Sequence, residues 1–222
     1  MEIALIITGV ISFIGIIFLL AWFFDKKRSE ALQLIAKALN FSFERKGDEL
    51  LIAMHNDFDL LSKGHAKKAS NVMHGRSGDM DITIMDYQYT VGHGKNSSTH
   101  LHSIIIVQSI HLLLPIFTLA PENIFHKIGG VFGYQDIDFS SHPKFSKQYL
   151  LRGEDEDAIR ETFSDELFKF YEKNKTFNTE GNNDKFVFFR TGKRLGAKDI
   201  QAFLQEGITL YGLLKIQSSG LH

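Results

Sequence analysis

MDITIMDYQYTV, residues Met80 to Val91, is the stretch on which the fold class turns. Met80, Ile82 and Ile84 alternate with Asp81 and Thr83, and the apolar set then moves to Met85, Tyr87, Tyr89 and Val91. Strand side chains repeat every two residues, so the first half reads as a strand and the one-residue slip as a β-bulge within it. Thr99 to Gln108 is a second strand, and the turn-rich Gly92 to Ser98 makes the pair a β-hairpin.

Strands and helices come in separate runs on either side of this hairpin. Upstream, Phe41 and Phe43 alternate with polar residues as a short strand, Leu50 to Phe58 form a short helix, and strands begin near Lys67. Downstream, Ser103 to Ala120 is long and apolar, but Gln108, Ser109, His111 and Pro115 interrupt it, and unpaired polar groups are costly in lipid. It reads as two buried strands joined by a turn, with a re-entrant segment as the alternative. Pro121 to Ile128 form a short helix stopped by Gly129 and Gly130. Glu154 to Asp157 open a helix whose apolar stripe is Ile159, Phe163, Leu167 and Phe170, with a kink near Ser164; acidic residues there complement the helix dipole. Phe177 to Thr179 and Lys185 to Arg190 flank a turn at Glu180 to Asp184, and a last helix starts near Ala197 and carries Ile200, Phe203, Leu204, Tyr211 and Leu214. The expected class is α+β with a mainly antiparallel sheet and packed helices.

The chain begins differently. Ile3 to Phe24 are 22 residues without a charge, and at a rise of about 1.5 Å per residue they span roughly 33 Å, the thickness of a hydrocarbon core. Glu2 is the only charge before the run, and Trp22, Phe23 and Phe24 close it, so an uncleaved anchor explains it better than a signal peptide. Ser29 to Asn40 have helical spacing that continues from the anchor, with Asn40 as the stop. Lys26, Lys27 and Arg28 outweigh Asp25 at the exit, which places the N-terminus outside and the remainder in the cytoplasm, on a single-pass inner-membrane protein. The expected division is 1–28 as anchor and basic flank and 29–222 as a cytoplasmic α+β domain. Thr8, Ser12 and Gly15 share one helical face through which two anchors can approach, so a homo-oligomer joins the bilayer and a membrane-associated protein as expected partners.

Composition excludes several functions. Beyond Glu2 the 25 Lys plus Arg are matched by equal numbers of Asp plus Glu, which gives no basic surface for nucleic acid. With no Cys there is no disulfide, thiolate zinc site or thiol nucleophile. Gly92, Gly94, Lys95 and Ser97 resemble a phosphate loop only loosely, because Tyr89 and Asn96 stand where the motif needs Gly and Ser or Thr. No nucleophile elbow, HExxH helix or dinucleotide fingerprint is present, and no cofactor is expected. One constellation carries some chemistry. If Val91 lies opposite Thr99, His100 and His102 share a strand face and Asp86 sits diagonal to His102, an arrangement able to hold a metal or serve a hydrolase acting on membrane or envelope molecules. A solvated polar face explains the same residues, so no catalytic, cofactor-binding or metal residue is assigned. Asp136 and Asp138 read as ordinary surface alternation, and Lys63, His65, Lys67 and Lys68 as a mildly basic edge within reach of anionic headgroups.

The segments FGYQDIDF (Phe132 to Phe139), HPKFS (His142 to Ser146) and YLLRGEDEDAIRETF (Tyr149 to Phe163), with KKASNVMHG (Lys67 to Gly75) and DYQYTVG (Asp86 to Gly92) followed by Gly94 and Lys95, resemble a group of bacterial proteins with one N-terminal membrane helix and a soluble domain of unknown function. The resemblance implies a bacterial inner-membrane setting and an intact domain, and carries no catalytic residue. Phe132, Phe139, Phe145 and Tyr149 read there as aromatic anchors that pin a long connection to the sheet. The function expected from all of this is a membrane-anchored cytoplasmic binding or scaffolding domain.

Overall fold

A computed structural model describes residues 1–122, 136–192 and 194–219. Its centre is one eight-stranded sheet of order β1-β2-β3-β4-β8-β7-β5-β6, in which every neighbouring pair is antiparallel. The strands are β1 (Ser42–Lys46), β2 (His65–Ser77), β3 (Met80–Val91), β4 (Ser98–Gln108), β5 (Leu114–Pro121), β6 (Tyr149–Gly153), β7 (Phe177–Asn183) and β8 (Lys185–Arg190). The helices are α1 (Glu2–Ala38), α2 (Glu49–Ala53), α3 (Asp59–Ser62), α4 (Pro143–Ser146), α5 (Glu156–Thr162), α6 (Asp165–Glu172) and α7 (Ile200–Ser219). The α+β class and the antiparallel sheet are as the sequence implies.

β3 explains the slip in its pattern differently from the expectation. Its pairing with β4 runs without interruption from Asp81 opposite Gln108 to Val91 opposite Ser98, so it has no bulge against that strand. Both faces of β3 are covered instead. Met80, Ile82 and Ile84 join the larger core with Leu32 and Ala36 of α1 and Phe203 and Leu214 of α7, while Met85, Tyr87 and Tyr89 join a second core beneath α2 and α3. The apolar set shifts because burial passes from one face to the other along the strand. The bulges lie in the neighbouring β2, where register shifts fall between His65 and Lys68 and between Ser70 and Met73. Ala66 and Asn71 take positive φ there, at 50° and 51°, as extra residues in a bulged strand do.

α1 is one continuous helix through the apolar run and the exit. It is long and apolar enough to cross a membrane, and its apolar stretch is not buried against the protein. Leu32 and Ala36 bury their side chains on the sheet, and Asn40 stops the helix with a φ of 58°. The helix expected over Leu50 to Phe58 is two short ones: α2 ends at Ala53, and buried Phe58 introduces α3. Ser103 to Ala120 supplies β4 and β5, which are separated in the sheet by β8 and β7. Pro121 closes β5 rather than opening a helix, and the remainder of that expected helix, with its two glycines and Phe132, lies outside the described residues.

The acidic helix is broken where Ser164 stands. Asp155 accepts a hydrogen bond from Ala158 N to cap α5, and Ser164 accepts one from Leu167 N to cap α6. Phe139, Phe145 and Tyr149 pack with Phe163, Phe168 and Tyr171 in one aromatic cluster, so the long connection is pinned as its aromatic spacing implies. Gly181 in β7 lies flat against the Phe117 ring, and a Cβ there would collide with it. Gly181→Ala is expected to cost about 1–3 kcal/mol of stability through overpacking, read as a lower melting temperature of the detergent-solubilised chain.

Candidate functional site

Asp86 is where the long helix meets the sheet. It is 2% exposed on the face of β3 beneath α1. Arg28, just past the apolar run, closes a two-pronged ion pair on it, Nε to Oδ2 at 2.8 Å and Nη2 to Oδ1 at 2.7 Å. Asn71 Nδ2 donates to Oδ2 at 2.9 Å and Ser103 Oγ to Oδ1 at 2.9 Å, which satisfies the carboxylate from the two flanking strands and the helix. Ser29 Oγ donates to Asn71 Oδ1 at 2.6 Å, and Arg28 Nη1 donates to the Leu195 carbonyl at 2.6 Å. Leu195 N donates back to Ser103 Oγ at 3.1 Å, while Arg194 pairs with Asp25 at 3.1 Å. The connection between β8 and α7 is thereby clamped over the helix. A planar guanidinium held at both edges fixes direction as well as distance, and α1 is joined to the domain without a hinge.

The histidine face has a different geometry from the one expected. β3 and β4 are offset by one residue from the assumed register, with Val91 opposite Ser98, so Tyr89 faces His100 and Tyr87 faces His102. A one-residue change moves a side chain to the other face of the sheet, and Asp86 is consequently on the opposite side from both histidines. The Asp86, His100 and His102 constellation is not assembled. His100 and His102 stack on Tyr89, at ring separations of 5.1 and 5.9 Å, and the Phe189 ring meets His102 edge-on at 5.5 Å. Burial lowers the His102 pKa, as does His100 beside it, against a raising contact with the Arg190 carbonyl. Among the described residues no group of three or more His, Asp or Glu is placed to hold a metal ion.

A buried carboxylate lies where the expected turn was. Glu180 is an interior residue of β7, 5% exposed, opposite Val187 and Thr118. Both its oxygens accept from Leu60 N, at 3.1 and 3.2 Å, and Thr118 Oγ1 donates to the nearby Asp59 at 3.3 Å. Burial pushes the Glu180 carboxyl up to about 8, helped by the charge of Asp59 and opposed by backbone N–H donors and by Lys63. Burial also raises Asp59 and lowers Lys63. Asp57 holds Lys185 at 2.8 Å and accepts from Asn182 at 2.8 Å, so the turn between α2 and α3 is tied to the sheet by polar contacts. The string Asn178 to Asp184 is rich in turn formers, which is why it conceals a strand; the turn itself takes only Asn183 and Asp184, with Asn183 at a φ of 52°.

Asp136 and Asp138 line a cleft of about 660 Å³ together with Glu122, Phe139, Lys147 and Arg160. Asp136 accepts from Leu151 N at 3.0 Å and its pKa is raised, chiefly by burial; Arg160 donates to the Asp138 carbonyl at 3.0 Å and covers the Phe139 ring.

No family model and no curated protein sequence matches the chain. Among solved structures, the crystal structure of the mycobacterial trehalose monomycolate transport factor A, TtfA, matches with a TM-score of 0.58 at 11% identity, over 85% of this chain and 93% of that one. At that identity the likeness is one of fold: the chain shares its architecture with a transport factor.

Proposed function

We propose that this chain is a single-pass membrane protein whose residues 29–222 form a scaffolding domain, held in the cytoplasm at the inner membrane to bind a membrane-associated protein. The junction at Arg28 and Asp86 carries this reading. A flexible tether would only raise local concentration, whereas a helix that passes from an apolar run into a buried ion pair also sets the angle at which the domain meets a neighbour. Lys26 and Lys27 support the cytoplasmic placement by themselves, because the charge of Arg28 is spent on Asp86. The structural neighbour is named as a trehalose monomycolate transport factor, which supports a membrane-associated role. The hydrolase alternative has lost the geometry that motivated it, since its carboxylate is satisfied by Arg28 on the far side of the sheet.

In-cell cross-linking of the full chain and of a form beginning at Asp25 tests the proposal. The full chain is expected to capture the same membrane protein reproducibly, and the shortened form to lose it. Absence of any partner, together with substrate turnover by the purified full chain, would overturn the scaffold. A reporter fused after His222 that proved periplasmic would overturn the orientation.

A further inference from the structure

α1 runs along β2 in the direction of increasing residue number, because Ser29 bonds Asn71 whereas Phe41 lies against Gly75. Traced backwards toward the apolar run, the helix leaves the sheet at the end where β2 begins, β3 ends and β4 begins. The contact of Arg194 with Asp25 confirms that β8 ends on the same side. The lengths then decide how far each element reaches. From Arg28 to Phe24 the helix advances about 6 Å, whereas from Asp86 to Val91 the strand advances about 17 Å. The tip of the β3–β4 hairpin therefore draws level with Phe24, along the helix axis, at any crossing angle below about 65°. Phe24 closes the apolar run, and aromatic residues there lie at headgroup depth.

The chemistry of this tip suits that depth. His93, Lys95 and Asn96 are exposed, and the His93 ring stacks on exposed His65 at 4.9 Å, which braces the loop against the start of β2. Gly92 and Gly94, at φ of 76° and 58°, give the tight turn that keeps it compact. Lys26 and Lys27 fold back over Trp22 and Phe23, at 5.4 and 5.9 Å from the rings, so their ammonium groups lie toward the same layer. Of the acids at this end, Asp25 pairs with Arg194 and Glu30 with Lys26, while Asp199 and, just past the end of β1, Asp48 and Glu49 are exposed.

We infer that the β3–β4 hairpin tip is a second membrane contact, a surface for anionic phospholipid headgroups that works with Lys26 and Lys27 to hold the domain upright on the bilayer. The inference rests on α1 spanning the bilayer, and it adds a docking surface that the anchor alone does not provide. A basic loop at the surface of an anionic leaflet gains about 1 kcal/mol per Lys or Arg, which is several-fold in occupancy for each charge.

The natural chain has no Cys, so single labels are unambiguous. The full chain carrying Asn96→Cys at the tip, or Ile110→Cys at the opposite end of the sheet, is labelled with a fluorophore and reconstituted into phosphatidylcholine vesicles, with or without about a third phosphatidylglycerol, containing a headgroup-quencher lipid. Strong quenching at residue 96 with little at 110, rising with phosphatidylglycerol and falling several-fold when Lys95→Glu is added, is the expected result. Equal quenching at both positions in chains that resist alkaline extraction overturns the tip contact while leaving the anchor intact. Quenching at 96 that ignores both phosphatidylglycerol and Lys95→Glu overturns the anionic chemistry. Chains that alkali extracts overturn the membrane span itself.

Discussion

Asp86→Ala is expected to destabilise the chain by about 3–5 kcal/mol, the cost of leaving a buried charge without its partner. Arg28 then faces the sheet with only the Leu195 carbonyl and a long contact to Ser103, and Asn71 and Ser103 lose the acceptor that both share. Urea unfolding of the full chain in mild detergent, followed by circular dichroism, measures the loss; a change below about 1 kcal/mol would show that the junction is not under load. The double variant Arg28→Met with Asp86→Leu is expected to regain most of the stability, because apolar replacement of a whole buried pair is often neutral or better. Membrane retention should be unchanged in either variant, since Ile3 to Phe24 are untouched. What the pair supplies is direction. Cross-linking to a partner should therefore fail in the double variant even where stability is restored, and that dissociation of stability from capture separates a scaffold with a set angle from a simple tether.

Glu180→Gln is expected to remove most of a pH dependence that the natural chain carries between about pH 4.5 and 8. The folded carboxyl holds its proton to about 8, whereas its ordinary value is 4.5. A group whose folded pKa is raised contributes its full stability below the unfolded value and loses it as pH rises through the folded one. At about 1.36 kcal/mol per unit, the total is on the order of 5 kcal/mol. Asp59, raised by the same burial, adds a loss of the same sign. Glutamine keeps a carbonyl to accept from Leu60 N and cannot ionise, so the variant should match the natural chain near pH 4.5 and exceed it by several kcal/mol at pH 8 to 9. Urea midpoints taken across that range are the measurement. Parallel curves for the two chains would mean that Glu180 is already ionised at neutral pH. The element that loosens first at high pH should be α3, because its Leu60 N–H is what the carboxyl holds.

The alternation and periodicity in the sequence were sufficient for the kinds of element present and for most of their places. An apolar run of 22 residues can hardly be anything but a long helix, and Ser29 to Asn40 continue its period without a break. Asn40 ends its helix and the acids from Glu154 to Asp157 open one through local preferences, which are readable, whereas Ser164 reads as a kink in a single helix and proves to cap a second one. The hairpins at Gly92 and at Asn183 were visible for the same reason.

Register was not readable. Whether Val91 meets Ser98 or Thr99 is a single residue in sequence, yet with a period of two it decides whether Asp86 joins His102 or turns away to Arg28. The same holds for the slip in Met80 to Val91, which a bulge and a strand buried on both faces write identically in the chain; only the helices packed over it tell them apart. Glu180 was hidden more deeply, since it lies among turn-forming residues and becomes a buried acid only because α3 folds across the sheet from 120 positions away. The sequence by itself determined the long apolar helix, the class and the helix end at Asn40, each from local pattern. The tertiary structure alone decided which side chains meet, because strand pairing and two-sided burial join residues that no local pattern connects.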